Sequence, residues 1–264
     1  MIRKWLNIQL YQKVHSRALF GLFGTVIKEL RVSPVQFLSW NPLSVIRTSW
    51  LMILSISKLT SGRSRRISYS FTGEDMIMSS LLKKSITDNG FYVDVGCNHP
   101  IHLSNSYSFY RLGWRGICID ANRELIKKYK WYRPRDKAIF SLVSNSQEQL
   151  LYYHLTNDVL STVNRQNLES FLSQGQKIVK KELIQPQSLN SILKKADCPE
   201  EFDFLSIDVE NHDWSVIQSI DLNLFKPKLI IIELDPERYL IEFLTKYGYV
   251  LKGSVLKNSY FWRE

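Results

Sequence analysis

Phe91-Tyr92-Val93-Asp94-Val95-Gly96-Cys97-Asn98, residues 91–98, is the stretch from which the fold follows. A short apolar run that stops at an acid and meets a glycine predicts a buried strand ending in a sharp turn, since glycine tolerates a reversal that a Cβ would obstruct. The pattern repeats downstream. Ile117-Cys118-Ile119 ends at Asp120, Ala138 to Val143 makes a third strand, Phe202 to Val209 a fourth, and Leu229 to Ile232 a fifth that ends at Glu233. Helical spacing fills 121–131, 188–196, 212–220 and 237–247, and an earlier helix over Glu74 to Ser85 closes at Asn89-Gly90. Near-continuous apolar strands separated by helices imply a mainly parallel sheet covered on both faces. The tail adds Tyr249–Leu256 and Tyr260–Trp262, joined through Lys257-Asn258 as an antiparallel hairpin at the sheet edge.

Composition bounds the rest. The 264 residues are 44% hydrophobic and 23% charged, which excludes a disordered chain. Three cysteines cannot build a disulfide framework and suit a reducing, cytoplasmic compartment. The net charge of +10 is unevenly spread: residues 1–70 hold eleven basic residues against one acid, Glu29, so residues 71–264 are neutral. This shift divides the chain into a basic, mainly helical N-terminal extension (1–70) and an α/β body (71–264). Within the extension, Ala18 to Ile27 and Thr48 to Ser57 are uncharged runs of ten residues bracketed by Lys or Arg. A spanning helix needs about 20 residues, so neither is transmembrane. Asn7, Gln9, Gln12 and Lys13 interrupt any secretory apolar region. The plainer expectation is that these helices cap the body or form a dimer contact. The alternative is peripheral contact with an anionic membrane face, for which Trp5, Trp40 and Trp50 among basic residues are suited. RNA comes third, because no RNA-binding module is recognisable.

Five parallel strands with a terminal hairpin make the seven-stranded, Rossmann-like methyltransferase plan. Ligands of such sheets bind beyond the carboxyl ends of the strands, where strand order reverses. The loop after the first strand has only Gly96, whereas a dinucleotide pyrophosphate needs three glycines, so NAD is disfavoured. S-adenosylmethionine has no phosphates and does not need that packing. Asp94 could then accept a bond from its ammonium group. Asp120, at the tip of the second strand, could accept both ribose hydroxyls, a carboxylate being able to take two bonds at once. The plainer role of Asp120 is to cap the helix beginning near Asn122, worth about 1 kcal/mol. In the fourth strand, period-2 alternation puts Ser206, Asp208 and Glu210 on one face, with His212 just beyond. Transfer of a methyl group to oxygen needs the hydroxyl proton removed, and a His or paired carboxylate at this place supplies the base. The same pair could instead hold Mg²⁺ or another divalent metal, or serve only as helix cap and solvated surface.

Asp94-Val95-Gly96-Cys97-Asn98, Ser104-Asn105-Ser106, Gly113-Trp114-Arg115-Gly116, Arg133-Pro134-Arg135-Asp136 and Asp203 to His212, in this order, resemble the FkbM family of S-adenosylmethionine-dependent methyltransferases. The likeness covers about residues 70–264. It implies O-methylation of sugar or polyketide-type hydroxyls, with Asp94, Gly96 and Asn98 in the cofactor loop and Asp120 as the ribose acid. It also implies a catalytic role for Asp208, Glu210 and His212. Two positions depart from the family pattern: Pro100 stands where a second glycine is common, and Asn211 where glycine is usual. Asparagine is well able to adopt the left-handed conformation, so the turn before His212 is expected to survive. The expected function is a cytoplasmic O-methyltransferase acting on a small-molecule, glycan or glycolipid hydroxyl. An RNA or protein methyltransferase is the alternative, disfavoured by the neutral body, and a non-catalytic membrane-associated binding module is a third.

Overall fold

A computed structural model describes residues 68–82 and 89–264. Residues 1–67, nearly the whole of the expected extension, and 83–88, the end of the first expected helix, lie outside the described residues. The described residues fall into two units, Phe109–Trp114 and 68–108 with 115–264. The described part of the first unit is a tight turn in which the Trp114 amide bonds back to the Phe109 carbonyl and the two rings lie 5.0 Å apart.

In chain order the elements are α1 (Glu74–Leu81), β1 (Phe91–Val95), α2 (Tyr107–Arg111), β2 (Arg115–Asp120), α3 (Arg123–Tyr132), β3 (Lys137–Phe140), β4 (Leu150–Leu155), α4 (Arg165–Ser173), β5 (Ile178–Ile184), α5 (Leu189–Lys195), β6 (Glu201–Ile207), α6 (Asp213–Ile217), β7 (Lys226–Glu233), α7 (Arg238–Thr245), β8 (Tyr249–Val255) and β9 (Asn258–Arg263). Seven strands form one sheet in the order β3-β2-β1-β6-β7-β9-β8. β1, β2, β3, β6 and β7 run parallel, and β9 joins β7 antiparallel with β8 outside it. This is the expected Rossmann-like sheet with its edge hairpin. The central strands are apolar on both faces because both are covered. Val93, Ile117, Leu205 and Ile230 pack with Leu189 and Ile192 of α5, Val216 and Ile217 of α6, and Leu240 and Leu244 of α7. Full burial of each such side chain stabilises the fold by roughly 1.5–3 kcal/mol.

Strand order reverses between β1 and β6, so their carboxyl ends open the site. Two features there depart from expectation. β6 stops at Ile207 rather than Val209, because Glu210 and Asn211 both adopt left-handed backbone, at φ 54 and 64. The interval 144–187, for which the sequence pattern predicts no element, forms an antiparallel ribbon (β4–β5) and α4. No helix among the described residues is long and apolar enough to cross a membrane.

Candidate active site

The carboxyl ends of β1, β2, β6 and β7 open into one cavity of about 710 Å³, walled on the far side by residues 157–174 of the insertion and by Leu256-Lys257-Asn258 of the hairpin. Gly96 makes the floor. Its φ is 79, and its amide bonds the Ile119 carbonyl of β2 at 2.9 Å. A methyl group at this position would lie 1.7 Å from the Asp208 carbonyl oxygen, so the loop after β1 and the end of β6 touch backbone to backbone. This is the close approach for which glycine is kept.

Asp120 lines the cavity from the tip of β2. It accepts the amides of Asn98 at 2.8 Å and Asn122 at 2.7 Å, one on each carboxylate oxygen. The helix cap is Asn122, which accepts the Glu124 amide, so Asp120 ties the loop after β1 to β2 and is not the N-cap. Burial pushes its pKa up to about 6, with the two amides opposing. Asn98, at φ 42, also lines the cavity. Asp94 does not. It is 3% exposed and lies behind the wall, where it accepts a short hydrogen bond from the Ser106 hydroxyl.

Asp208 and Glu210 come together with Glu233, an acid at the tip of β7 that the sequence reading treated only as a strand end. Their carboxylate oxygens lie within 4.8 Å of one another. The left-handed pair Glu210-Asn211, rather than strand alternation, brings Glu210 back toward Asp208. Such backbone costs of order 1–3 kcal/mol per residue and collects at functional sites. The insertion holds this turn. The Glu210 carbonyl accepts from Thr162 Oγ1 at 3.1 Å and Asn167 Nδ2 at 3.2 Å, and Asn211 donates to Asn167 Oδ1 at 2.6 Å. Burial, then repulsion from Glu233, pushes Glu210 up to about 7. Asp208 is driven well above the usual carboxylate range by burial and by the charges of Glu233 and Asp213. Asp213, fully buried beneath them, accepts the Val209 amide at 3.1 Å. His212 lines the same cavity with Nε2 3.0 Å from the Ser144 hydroxyl, and burial lowers its pKa, leaving the ring neutral.

Six carboxylates line the cavity (Glu74, Asp120, Asp158, Asp208, Glu210 and Glu233), against a single cation among the described lining residues, Lys257. The potential inside therefore attracts cations and repels anions. A methyl donor carrying a sulfonium and an ammonium fits this donor set, and so would a hard divalent cation at the Asp208–Glu210–Glu233 group.

The Methyltransferase FkbM domain model matches residues 94–251. No curated protein matches the chain. Among solved structures, the precorrin-6y C5,15-methyltransferase of Geobacter metallireducens GS-15 is similar at 12% identity over 76% of this chain and 94% of that one, with a TM-score of 0.36. A TehB-like SAM-dependent methyltransferase from Corynebacterium glutamicum shares 11% identity over 85% of this chain and 100% of that one, with a TM-score of 0.39. An O-methyltransferase from Bacillus cereus, in complex with SAH, shares 11% over 90% and 97%, with a TM-score of 0.34. At these scores the three structures add nothing to the family match.

Proposed function

Because the chain belongs to the FkbM methyltransferase family, we propose that its cavity binds S-adenosylmethionine and that it methylates a hydroxyl of a neutral sugar, glycan or glycolipid. The observation that carries this reading is the charge of the cavity: six lining carboxylates and one lysine favour a cationic methyl donor with an uncharged acceptor. The same charge disfavours RNA, whose phosphates would have to enter a negative mouth.

When bound, the cofactor supplies an electrophilic methyl group. The remaining work falls to the chain. Asp120 keeps free lone pairs for the ribose hydroxyls after accepting the Asn98 and Asn122 amides. Glu210, with a pKa near 7, is the base that takes the acceptor's hydroxyl proton as the new carbon–oxygen bond forms, since a base poised near the working pH is the most effective. Glu233 stands beside Glu210 and contributes to raising its pKa, and neutral His212 is the second proton acceptor, oriented by Ser144. The 157–174 wall borders the cavity opposite the strand ends. A divalent cation on Asp208, Glu210 and Glu233 is the competing use of these acids.

The test is transfer of labelled methyl groups from S-adenosylmethionine to an extract of host glycans and lipids, with RNA in parallel and with chelator added and omitted. Labelled neutral glycan, unaffected by chelator, is expected. No calorimetric binding of the cofactor or its demethylated product at high micromolar concentration refutes the reading. Labelled RNA with steep salt dependence replaces it with the nucleic-acid alternative, and loss of transfer with chelator moves the carboxylates from base to metal site. For the basic extension we keep the cap or dimer role, with contact on an anionic membrane as the alternative. Flotation with anionic vesicles that is lost on deleting residues 1–60 would select the latter.

A further inference from the structure

The wall behind Gly96 contains a cation that solvent does not reach. Arg133 follows α3 and is 0% exposed. Its Nε donates to Asp136 Oδ2 at 2.7 Å, and both side chains of this ion pair are fully buried. Nη2 donates to the Tyr92 hydroxyl at 2.8 Å and to Ser106 Oγ at 2.9 Å. Nη1 reaches Ser104 Oγ at 3.3 Å and the Pro100 carbonyl at 3.4 Å. Asp136 is held in turn by the Gly116 amide at 2.8 Å and by the Tyr92 hydroxyl.

A serine hydroxyl has one proton to give. Ser106 gives it to Asp94 while its oxygen accepts from Arg133, so one hydroxyl links the guanidinium to the Asp94 carboxylate. The same guanidinium grips residues 100, 104 and 106, the far end of the loop whose Gly96, Asn98, Leu103 and Asn105 line the cavity. Asn105 is fixed from the other side by its bond to Ser206 Oγ at 3.1 Å. Pinning a helix end to a sheet does not need a buried charge, since apolar side chains of similar volume often do it as well or better. A cation this deep, its charge already matched by Asp136, has a second carboxylate within reach for a reason beyond packing.

We propose that Arg133 is a positioning residue: acting through Ser106, it fixes the Asp94 carboxylate behind Gly96 as the counter-charge to the cationic end of the methyl donor. This rests on the S-adenosylmethionine reading above. It also gives Asp94 a role that its absence from the cavity wall would otherwise deny: the carboxylate lies two residues before Gly96, and Val95 and Gly96 between it and the ligand space both line the cavity. Asp94 is faced by the Ser106 and Ser206 hydroxyls, the Arg133 and Asp136 charges, the Cys97 thiol, the Tyr129 phenol and the Asp120 carboxylate. Burial raises its pKa, and Ser106 and Arg133 oppose that rise.

The experiment measures S-adenosylmethionine affinity by calorimetry from pH 5.5 to 8.5 for wild type, Ser106→Ala, Ser106→Thr and Arg133→Lys, with thermal unfolding to show that each variant folds. Losing a hydrogen bond to a charged group should weaken cofactor binding about tenfold in Ser106→Ala. The midpoint at which affinity falls with acid should move up by about one pH unit. Ser106→Thr should restore both. At saturating cofactor the turnover of Ser106→Ala should stay within twofold of wild type, because the acceptor's base is untouched. Arg133→Lys keeps the charge but loses the fork, and should weaken cofactor binding while raising the midpoint less. Wild type that does not bind the cofactor overturns the cofactor reading and this inference with it. Wild type that binds, beside a Ser106→Ala variant of the same affinity and midpoint, overturns this inference alone. If Arg133→Lys does not fold, Ser106→Ala decides the matter.

Discussion

Replacing Gly96 by alanine tests the contact on which the whole site is built. The new methyl group would sit 1.7 Å from the Asp208 carbonyl oxygen, 2.7 Å from its carbon and 3.0 Å from Val209 Cγ1, at a φ of 79. Side-chain carbons essentially never approach closer than 3.0 Å, so the end of β6 must retreat from the end of β1 by more than an ångström. The left-handed backbone alone costs an alanine about 1–2 kcal/mol. Forcing atoms into a packed place costs about 1–3 kcal/mol more. Together these remove roughly 2–5 kcal/mol, a large share of the 5–15 kcal/mol that holds a domain folded. The melting temperature should fall by roughly 5–15 °C. A displacement of this size at Asp208 should also cost turnover about a hundredfold beyond any loss of folded protein. Gly175→Ala is the matched control: its φ is 90, but its Cβ meets nothing within 4 Å, so it bears only the backbone cost. The assay is urea unfolding of both variants, with methyl transfer measured at a temperature where both are folded. A Gly96→Ala protein within about 0.5 kcal/mol of Gly175→Ala, with wild-type turnover, would show that the two strand ends are not locked together and refute the reasoning.

Three further outcomes follow from the same site. Asp120, with its pKa pushed up to about 6, gains a proton as the pH falls through that value and loses acceptor capacity. Asp120 should therefore contribute a drop in cofactor affinity of up to about tenfold by pH 5, and Asp120→Asn should be weaker throughout and lose that part of the pH dependence, keeping the part that belongs to Asp94. An Asp120→Asn protein with the wild-type profile removes it as the ribose ligand. Glu210, near 7, must be deprotonated to act as base, so turnover should rise as pH climbs through 7, and Glu210→Gln should lose both that rise and about a hundredfold in rate. His212→Ala should lower turnover with cofactor affinity kept within twofold. Equal turnover would leave His212 as no more than a partner for Ser144.

The sheet was legible because its strands are buried on both faces. Runs such as Leu229–Ile232 and Ile117–Ile119 have no polar face to confuse with a helix, and each stops just before an acid. The ribbon was not. Ile178-Val179-Lys180-Lys181-Glu182-Leu183-Ile184 is only half-covered and alternates poorly, so burial gives it no period to read. Glu233 was visible as an acid at a strand end, the same signal that marked Asp120, and its place in the site follows once β7 is known to lie beside β6. The convergence of Glu210 on Asp208 could not come from strand alternation, because left-handed backbone at Glu210 and Asn211 breaks that period. The expectation that Asn211 can stand in for glycine held: at φ 64 it completes the turn, and His212 reaches the cavity. Sequence named Asp94 as the acid closing β1, but its route to Arg133 runs through the chain fold and not through spacing.

The grip of the insertion on the Glu210-Asn211 turn bears on redesign. Residues 157–174 of segment 144–187 wall the cavity opposite the strand ends, so that segment is the natural piece to exchange when a different acceptor is wanted. Yet Thr162, Asn164 and Asn167 reach across from it to the backbone or side chains of that turn, at 3.1, 3.4 and 2.6–3.2 Å. A transplanted segment lacking these three residues would bring new selectivity to a turn no longer braced, and selectivity and rate would be lost together. Any chimera of this enzyme has to carry them as part of the site, because they hold the turn on which Glu210 is placed.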